Sequence, residues 1–404
     1  MQFEKIIGQK EIKKHLVQMV EHNRLSHALL FLGKEGCGTL PLAMALSQYL
    51  VCDKVRGKQE PAASSLFGEP EPAPVEGQSA PADACGICPS CTKAAQLIHP
   101  DIHFSYPAIT KKSGDKPVST DYIKEWREFF ALHPYGNVFD WLQFIGAENK
   151  QGNITAEECN DIIRKINLKS FESGYKILIL WMPEYLGKNG NKLLKLIEEP
   201  PPDTLFILVA EDEEQVLPTI LSRTQLVKVP LLSDIEIEAA LELRAGAPVE
   251  KARQIAAISE GNYHEALQLL QHIEDDWQVV LREWLNLIAK RNLQGQLKWI
   301  DDISKSGREN QKQFLKYFIH LLEQAIRLRL IDGSKSQQFA TDTEADFASR
   351  LNKLCSVHQQ EAIITELDKA SYYVERNANP KMLFHALSIK LHHIISNNSL
   401  ILTN

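Results

Sequence analysis

No uninterrupted apolar run of membrane-spanning length occurs in this chain, so a helix crossing a bilayer is not expected. The N-terminus, MQFEKIIGQKEIKKHL, is charged from Glu4 onward and has no apolar stretch of the kind a secretory leader needs, which points to a cytoplasmic chain. Basic excess is also lacking. The 45 Lys and Arg are outnumbered by 52 Asp and Glu, for a net charge of −7, so no global field invites nucleic acid. Any DNA contact would need a local patch or a partner, and the cluster Lys111, Lys112 and Lys116 is small enough to be an ordinary solvated loop. No internal repeat is visible. Disulfides are not expected in a cytosolic chain, so clustered cysteines point to a metal or to catalysis.

A sharper deficit lies in FLGKEGCGTL. A phosphate-binding loop reads G-x-x-x-x-G-K-[ST]. Gly33 and Gly38 have the right spacing, but Thr39 stands where the lysine belongs and Leu40 where the hydroxyl residue belongs. Thr39 offers a hydroxyl one position early and no charge, and Lys34 is at the wrong end of the loop. Nucleotide chemistry also needs an acidic residue closing a buried strand to hold magnesium. The candidate strand, KILIL, runs into Trp181 and Met182, with Glu184 only beyond Pro183. Two independent parts are missing, so this chain is expected not to hydrolyse ATP, although loop amides can still hold an anion weakly.

What is present is α/β patterning. HALLFLG, the loop and LPLAMALSQYLVC read as strand, glycine turn and buried helix. YKILILWM and DTLFILVAED are continuous apolar runs, as strands buried on both faces require. Helical patterns lie between them: DYIKEWREFFALHP, then TAEECNDIIRKINLKS with Thr155 and Glu158 in capping-box spacing, then NKLLKLIEEPPP, stopped by proline. LPTILSRTQLVKVP gives a short helix and a further strand. Such alternation predicts a parallel sheet. Beyond Pro230 only helices are expected, starting with Ser233 and Glu236 in capping-box spacing. In DDWQVVLREWLNLIAK, residues Trp277, Val280, Leu281, Trp284 and Ile288 share a stripe. Residues 53–84, rich in Pro, Ala, Glu, Gly and Ser, read as a disordered surface insertion, and 333–346 as a polar loop. The plan is an α/β domain over 1–230, a small helical domain over 231–272 and a larger one over 273–404.

Cysteine is unevenly spread. Cys85, Cys88 and Cys91 stand in CGICPSC, and Cys52 lies upstream across the insertion. Four thiolates would complete a closed, structural zinc site, tying the end of the post-loop helix to the next helix. An iron–sulfur cluster is the rival, because the same spacing serves it. Cys37, Cys159 and Cys355 read as plain buried residues.

Four blocks in order resemble bacterial clamp-loader subunits, a branch of the AAA+ family: FEKIIGQKEIKKHL with RLSHALLFLGKEGCG; CGICPSC with HPDIHF; NKLLKLIEEPPPDTLFILVAEDEEQVLPTILSRTQ; and ERNANPKMLFHAL. Asn191, Leu193, Leu194, Lys195, Glu198, Glu199, Pro200 and Pro201 match one family motif, and Ser222 and Arg223 match its Ser-Arg-Cys motif, with Thr224 in place of Cys. The resemblance covers the chain apart from the insertion and the segment around 134–160. It implies an AAA+ α/β domain with a zinc module, a three-helix lid and an all-α collar. It implies structural zinc on Cys52, Cys85, Cys88 and Cys91. It also implies that Arg223, with Ser222, serves as an arginine finger on ATP held by a neighbouring gamma or tau subunit. The implied partners are gamma/tau and delta subunits in a hetero-pentameric ring, the sliding clamp, and primed DNA reached through the complex, with no membrane. His264, in GNYHEAL, stands where the family often has an arginine that contacts nucleotide, a third loss in the same direction. The alternatives are a gamma/tau-like clamp-loader ATPase, a stand-alone zinc DNA-binding protein, and an iron–sulfur redox protein.

Overall fold

The computed structural model describes residues 1–57, 81–110, 116–147, 152–272, 277–330, 342–375 and 378–397. Most of the expected insertion, 58–80, and most of the expected polar loop, 331–341, lie outside them, as do Lys111 and Lys112. The described ends of the insertion are held in place: Asp83 accepts the amides of Phe3 (3.0 Å) and Glu4 (2.9 Å), and Arg56 donates its own amide to Cys52 (3.1 Å).

The chain divides into two compact units. The first comprises Met1–Glu236 with Gly261–His264. Its sheet contains β1 (Ala28–Leu32), β2 (Ile102–Ser105), β3 (Lys176–Trp181), β4 (Thr204–Ala210) and β5 (Gln225–Lys228). The order is β2-β3-β4-β1-β5 and every pairing is parallel. β3 and β4 are buried at every position, which is why both read as unbroken apolar runs. Leu29, Phe31, Ile177, Ile179 and Ile207 face one core, and Leu30, Leu178, Leu180 and Leu208 face the other. The helices of this unit are α1 (Lys10–Glu21), α2 (Thr39–Val51), α3 (Pro89–Ala95), α4 (Ile123–Leu132), α5 (Val138–Phe144), α6 (Ala156–Ile166), α7 (Leu194–Glu198) and α8 (Pro218–Leu221). β1 has β4 on one side and β5 on the other, so the turn that follows it opens at the switch point of the sheet, the usual place for a ligand in such folds.

Three local expectations need correction. The helix expected across NKLLKLIEEPPP is only α7, because Pro183–Leu193 is wound as 3-10 turns. Thr155 does cap α6, accepting the amide of Glu158 at 3.2 Å. The carboxylate of Glu158 does not return the bond; it accepts the amide and hydroxyl of Ser119, each at 2.7 Å. A buried carboxylate with donors from another segment satisfies more polar groups there than it would at its own helix end. Ser233 and Glu236, by contrast, form the reciprocal pair. Finally, residues 342–346 are helical, not loop.

The second unit comprises Ile237–Glu260 and Glu265–Asn404. Its described residues form helices only: α9 (Asp234–Ala245) from Ile237 on, α10 (Val249–Ile258), α11 (Tyr263–His272) from Glu265 on, α12 (Trp277–Ala289), α13 (Leu293–Lys305), α14 (Arg308–Leu330), α15 (Asp342–Leu354), α16 (Val357–Glu375) and α17 (Pro380–Asn397). The stripe on α12 is buried as expected at Trp277, Leu281, Trp284 and Ile288. Trp284 stacks on Trp299 with ring centroids 4.8 Å apart and donates to Ser388 Oγ at 3.0 Å. Burying an indole is tolerated when its N–H has such a partner.

Candidate functional site

The segment from Gly33 to Gly38 leaves β1 and turns into α2. Gly33 donates its amide to Ala210 at the end of β4 (3.1 Å), so the turn is sewn to the sheet. Gly36 and Gly38 have φ of +72° and +96°, conformations that only glycine adopts readily. A Cβ on Gly36 would also overlap the side chain of Asn262. Cys37 is fully buried, and burial pushes its thiol up to about 12. Thr39 and Leu40, at the positions of the missing lysine and hydroxyl, are both buried, and Leu40 belongs to the core. The turn therefore passes from strand to helix through two left-handed glycines, and its second half packs inward.

The rim of this loop is acidic. Glu211 follows β4 directly, and burial together with Glu35 and Glu184 pushes its carboxyl up to about 8, with Lys34 acting against them. Glu184 accepts the amides of Glu211 (2.7 Å) and Asp212 (3.0 Å) through one oxygen. Its other oxygen is buried with no hydrogen-bond partner among the described residues, and burial raises the pKa of the carboxyl. His264, largely buried, lies 3.1 Å from Asp140 and 3.7 Å from Glu35. Asn137 donates to Glu35 at 3.2 Å, and the amide of Tyr263 reaches the carbonyl of Gly36 at 3.3 Å. Thus 137–140 and 262–264 close over the loop through contacts of the chain itself, from His264 to Asp140 and from Asn137 to Glu35. Trp181 and Met182 are buried as well. Trp181 packs on Trp126 and Phe129, with centroids 5.2 and 6.3 Å away, so an aromatic cluster stands where a magnesium-binding acid would be needed.

Ser222 caps the end of α8 and Arg223 follows it. The Arg223 guanidinium is ion-paired with Glu198 at the end of α7 and donates to the Thr219 carbonyl (2.8 Å) and Ser222 Oγ (3.1 Å). The side chain is about one-third exposed and folded onto its own subunit; its partners do not include the loop. Sequence reading found the arginine and the matched Glu198 separately and did not see that they pair.

The cysteine cluster is brought together as expected. The sulfurs of Cys52, Cys85, Cys88 and Cys91 all lie within 4.8 Å of one another. Cys52 ends α2, and Cys88 caps α3 with Pro89 at its first position. Cys85 and Cys91 sulfurs are 3.9 Å apart, against about 3.8 Å for two thiolates on one tetrahedral zinc. Amides of Cys85, Cys88 and Cys91 point at the sulfurs of Cys52, Cys85 and Cys88 at 3.3–3.4 Å, as thiolate ligands need. Burial alone would push Cys85 up, but the amides of Cys88 and Ile87 and the neighbouring thiols pull it down to about 7. The donor set could hold one metal ion and is compatible with zinc. Cys37, Cys159 and Cys355 are free and buried, in keeping with their reading as core residues.

Two features escaped the sequence reading. The acidic rim is one; its only local signal was the Glu211–Asp212 pair that closes the apolar run of β4. The other is Asp101, buried, whose carboxylate gathers the amides of Phe171 (2.5 Å), Glu172 (2.9 Å) and Ser173 (2.8 Å). Burial would raise its pKa, but these three donors outweigh it and hold the pKa below the usual value.

The family model described as "DNA polymerase III, delta subunit" matches residues 8–66 and 74–233. The chain is 26% identical over 267 residues to DNA polymerase III subunit delta' of Bacillus subtilis, across 66% of this chain and 60% of that one. It is 23% identical over 295 residues to the delta' subunit of Escherichia coli, across 69% and 67%. To the gamma/tau subunit of Mycobacterium tuberculosis it is 25% identical over 223 residues, across 55% of this chain and 27% of that one. The match thus spans about 60% of the length of the Bacillus relative. Among solved structures, a gamma subunit-related protein of Thermotoga maritima aligns over 96% of this chain and 99% of its own, with 14% identity and a TM-score of 0.39.

Proposed function

The chain belongs to the DNA polymerase III delta-subunit family of clamp-loader proteins, and from that premise we propose that it is a delta-prime-type subunit that does not hydrolyse ATP. It works in a ring with gamma/tau and delta subunits, helping to open the sliding clamp and load it onto primed DNA. In that ring Arg223 reaches the ATP of a neighbouring gamma or tau subunit, and its planar fork neutralises charge on the γ-phosphate. Ser222 and Glu198 set the position from which it reaches.

The observation that carries this reading is the charge around the loop. Glu35, Glu184 and Glu211 crowd it, with Lys34 the cation acting against them on Glu211. A triphosphate would meet carboxylates where a working site offers lysine and magnesium. Burial of Leu40 and the aromatic packing of Trp181 point the same way. The same features weigh against a gamma/tau-like ATPase. Cys52, Cys85, Cys88 and Cys91 would hold zinc, and the ion would supply a structural cross-link between α2 and α3, with no catalytic part. The lid is assigned to 231–272 and the collar to 273–404, the collar helices meeting those of the other subunits through apolar helix-on-helix contacts.

The test is reconstitution with gamma/tau and delta subunits. Arg223→Ala should lower DNA-stimulated ATP hydrolysis and clamp loading by at least about tenfold, while the complex still assembles. Unchanged hydrolysis would dispose of the finger.

A further inference from the structure

β2 is an edge strand, with β3 on one side only. The amide of Ile177 donates to the carbonyl of Asp101 at 2.8 Å. In a parallel ladder, alternate residues bond to the same neighbour. His103 and Ser105 therefore bond toward β3, and Ile102 and Phe104 turn their N–H and C=O groups outward. The amide of Ile102 is taken by the His99 carbonyl at 3.2 Å. The outward N–H and C=O of Phe104 and the C=O of Ile102 find no partner among the described residues.

A cavity of 260 Å³ runs along this edge. Its lining includes Ile98, Phe104, His103, Thr120, Arg127 and Lys165, with no Asp or Glu among the described residues. The two lips stand on opposite faces of the strand. On one, Ile102 and Phe104 pack in the same core as Ile123 of α4, the helix that carries Arg127. On the other, His103 faces α6, which carries Lys165. Arg127 uses Nε on the Leu97 carbonyl (3.1 Å), and its terminal nitrogens have no partner among the described residues. Lys165 leans on Thr120 Oγ1 (2.7 Å) and Asp161 (2.6 Å), with Asp161 outside the lining. The His103 side chain makes no hydrogen bond to a described residue.

We propose that this edge docks an extended acidic segment of a partner protein, which adds beside β2 as a further strand. Backbone bonds to Phe104 and Ile102 supply register. Successive side chains of an added strand point to opposite faces. Two adjacent carboxylates would therefore meet Arg127 on one lip and Lys165 with His103 on the other. The chain's own acidic stretch, 58–80, is a poorer occupant. Of its four glutamates, Glu60, Glu69 and Glu71 each adjoin a proline, which removes a ladder donor, and the fourth, Glu76, lies between Val75 and Gly77 with no second carboxylate beside it. This inference does not depend on the role given to Arg223.

The test uses the full chain and a fluorescein-labelled hexapeptide, two adjacent glutamates flanked by valine and threonine, beside a twin with glutamines in their place. Fluorescence anisotropy should show the acidic peptide binding at least about tenfold more tightly than its twin, and Arg127→Gln and Lys165→Gln each weakening it about tenfold with melting temperature unchanged. Hydrogen exchange at the Phe104 amide should slow on binding. Equal affinity for the two peptides, or unaltered exchange at Phe104, overturns the proposal. So does a chain lacking 58–80 that binds the acidic peptide about tenfold more tightly than the full chain, since the groove would then belong to the chain's own segment.

Discussion

At the rim of the loop, Glu211 shows how a residue read as part of a strand end becomes one member of a buried acidic cluster. Its carboxyl rises from 4.5 to about 8 because it is buried beside Glu35 and Glu184. The native state keeps a proton that the unfolded chain has released between those two values. Stability therefore falls as pH rises through that window, by at most about 1.4 kcal/mol per pH unit, and levels off above it. Glu211→Gln should flatten this dependence, so that its melting temperature exceeds that of the parent at pH 8 and matches it near pH 4.5. A parallel pH profile for parent and variant would remove Glu211 from the account. The missing lysine was legible from Thr39 alone. The acidic rim was not, because Glu35, Glu184 and Glu211 come from three separate connections that only the sheet order brings together. Arg223 has the same character. Its motif was readable, and its ion pair with Glu198 required α7 and α8 to be placed side by side.

Among the elements, the cysteine module joins α2 to α3 across a segment of the chain, and its spacing made it legible in advance. Successive cysteines with two residues between them can turn their sulfurs to one point with local geometry alone. Metal analysis should give one zinc per chain in a colourless protein. Chelation, or Cys88→Ser, should lower the melting temperature and cost several kcal/mol, because binding free energy at a closed thiolate site is folding free energy. A coloured protein, or a melting temperature indifferent to chelation, would contradict a structural zinc site. The two capping-box patterns teach the opposite lesson. Thr155 with Glu158 and Ser233 with Glu236 have identical spacing, yet only the second pair closes on itself. Glu158 is drawn to Ser119 because it is buried and needs donors, whereas Glu236 borders an exposed turn and finds them locally.

For the whole molecule, the expected outcome is a subunit without a nucleotide of its own. Titration calorimetry of the isolated chain with ATP and magnesium should register no binding at micromolar concentrations, while the chain enters a stoichiometric complex with gamma/tau and delta subunits. Tight, magnesium-dependent binding would restore the ATPase reading. The sequence by itself determined the parallel α/β sheet, the helices that make up the described remainder, the glycine spacing of the turn after β1 and the grouping of four cysteines. Each of these is written in periodicity or in spacing over a few residues, and local physics suffices to read it. Only the tertiary structure decided the acidic rim, the aromatic packing of Trp181, the His264–Asp140 closure, the resting place of Arg223 and the open edge of β2. These depend on which strands lie side by side, and that order is set by packing between segments far apart in the chain.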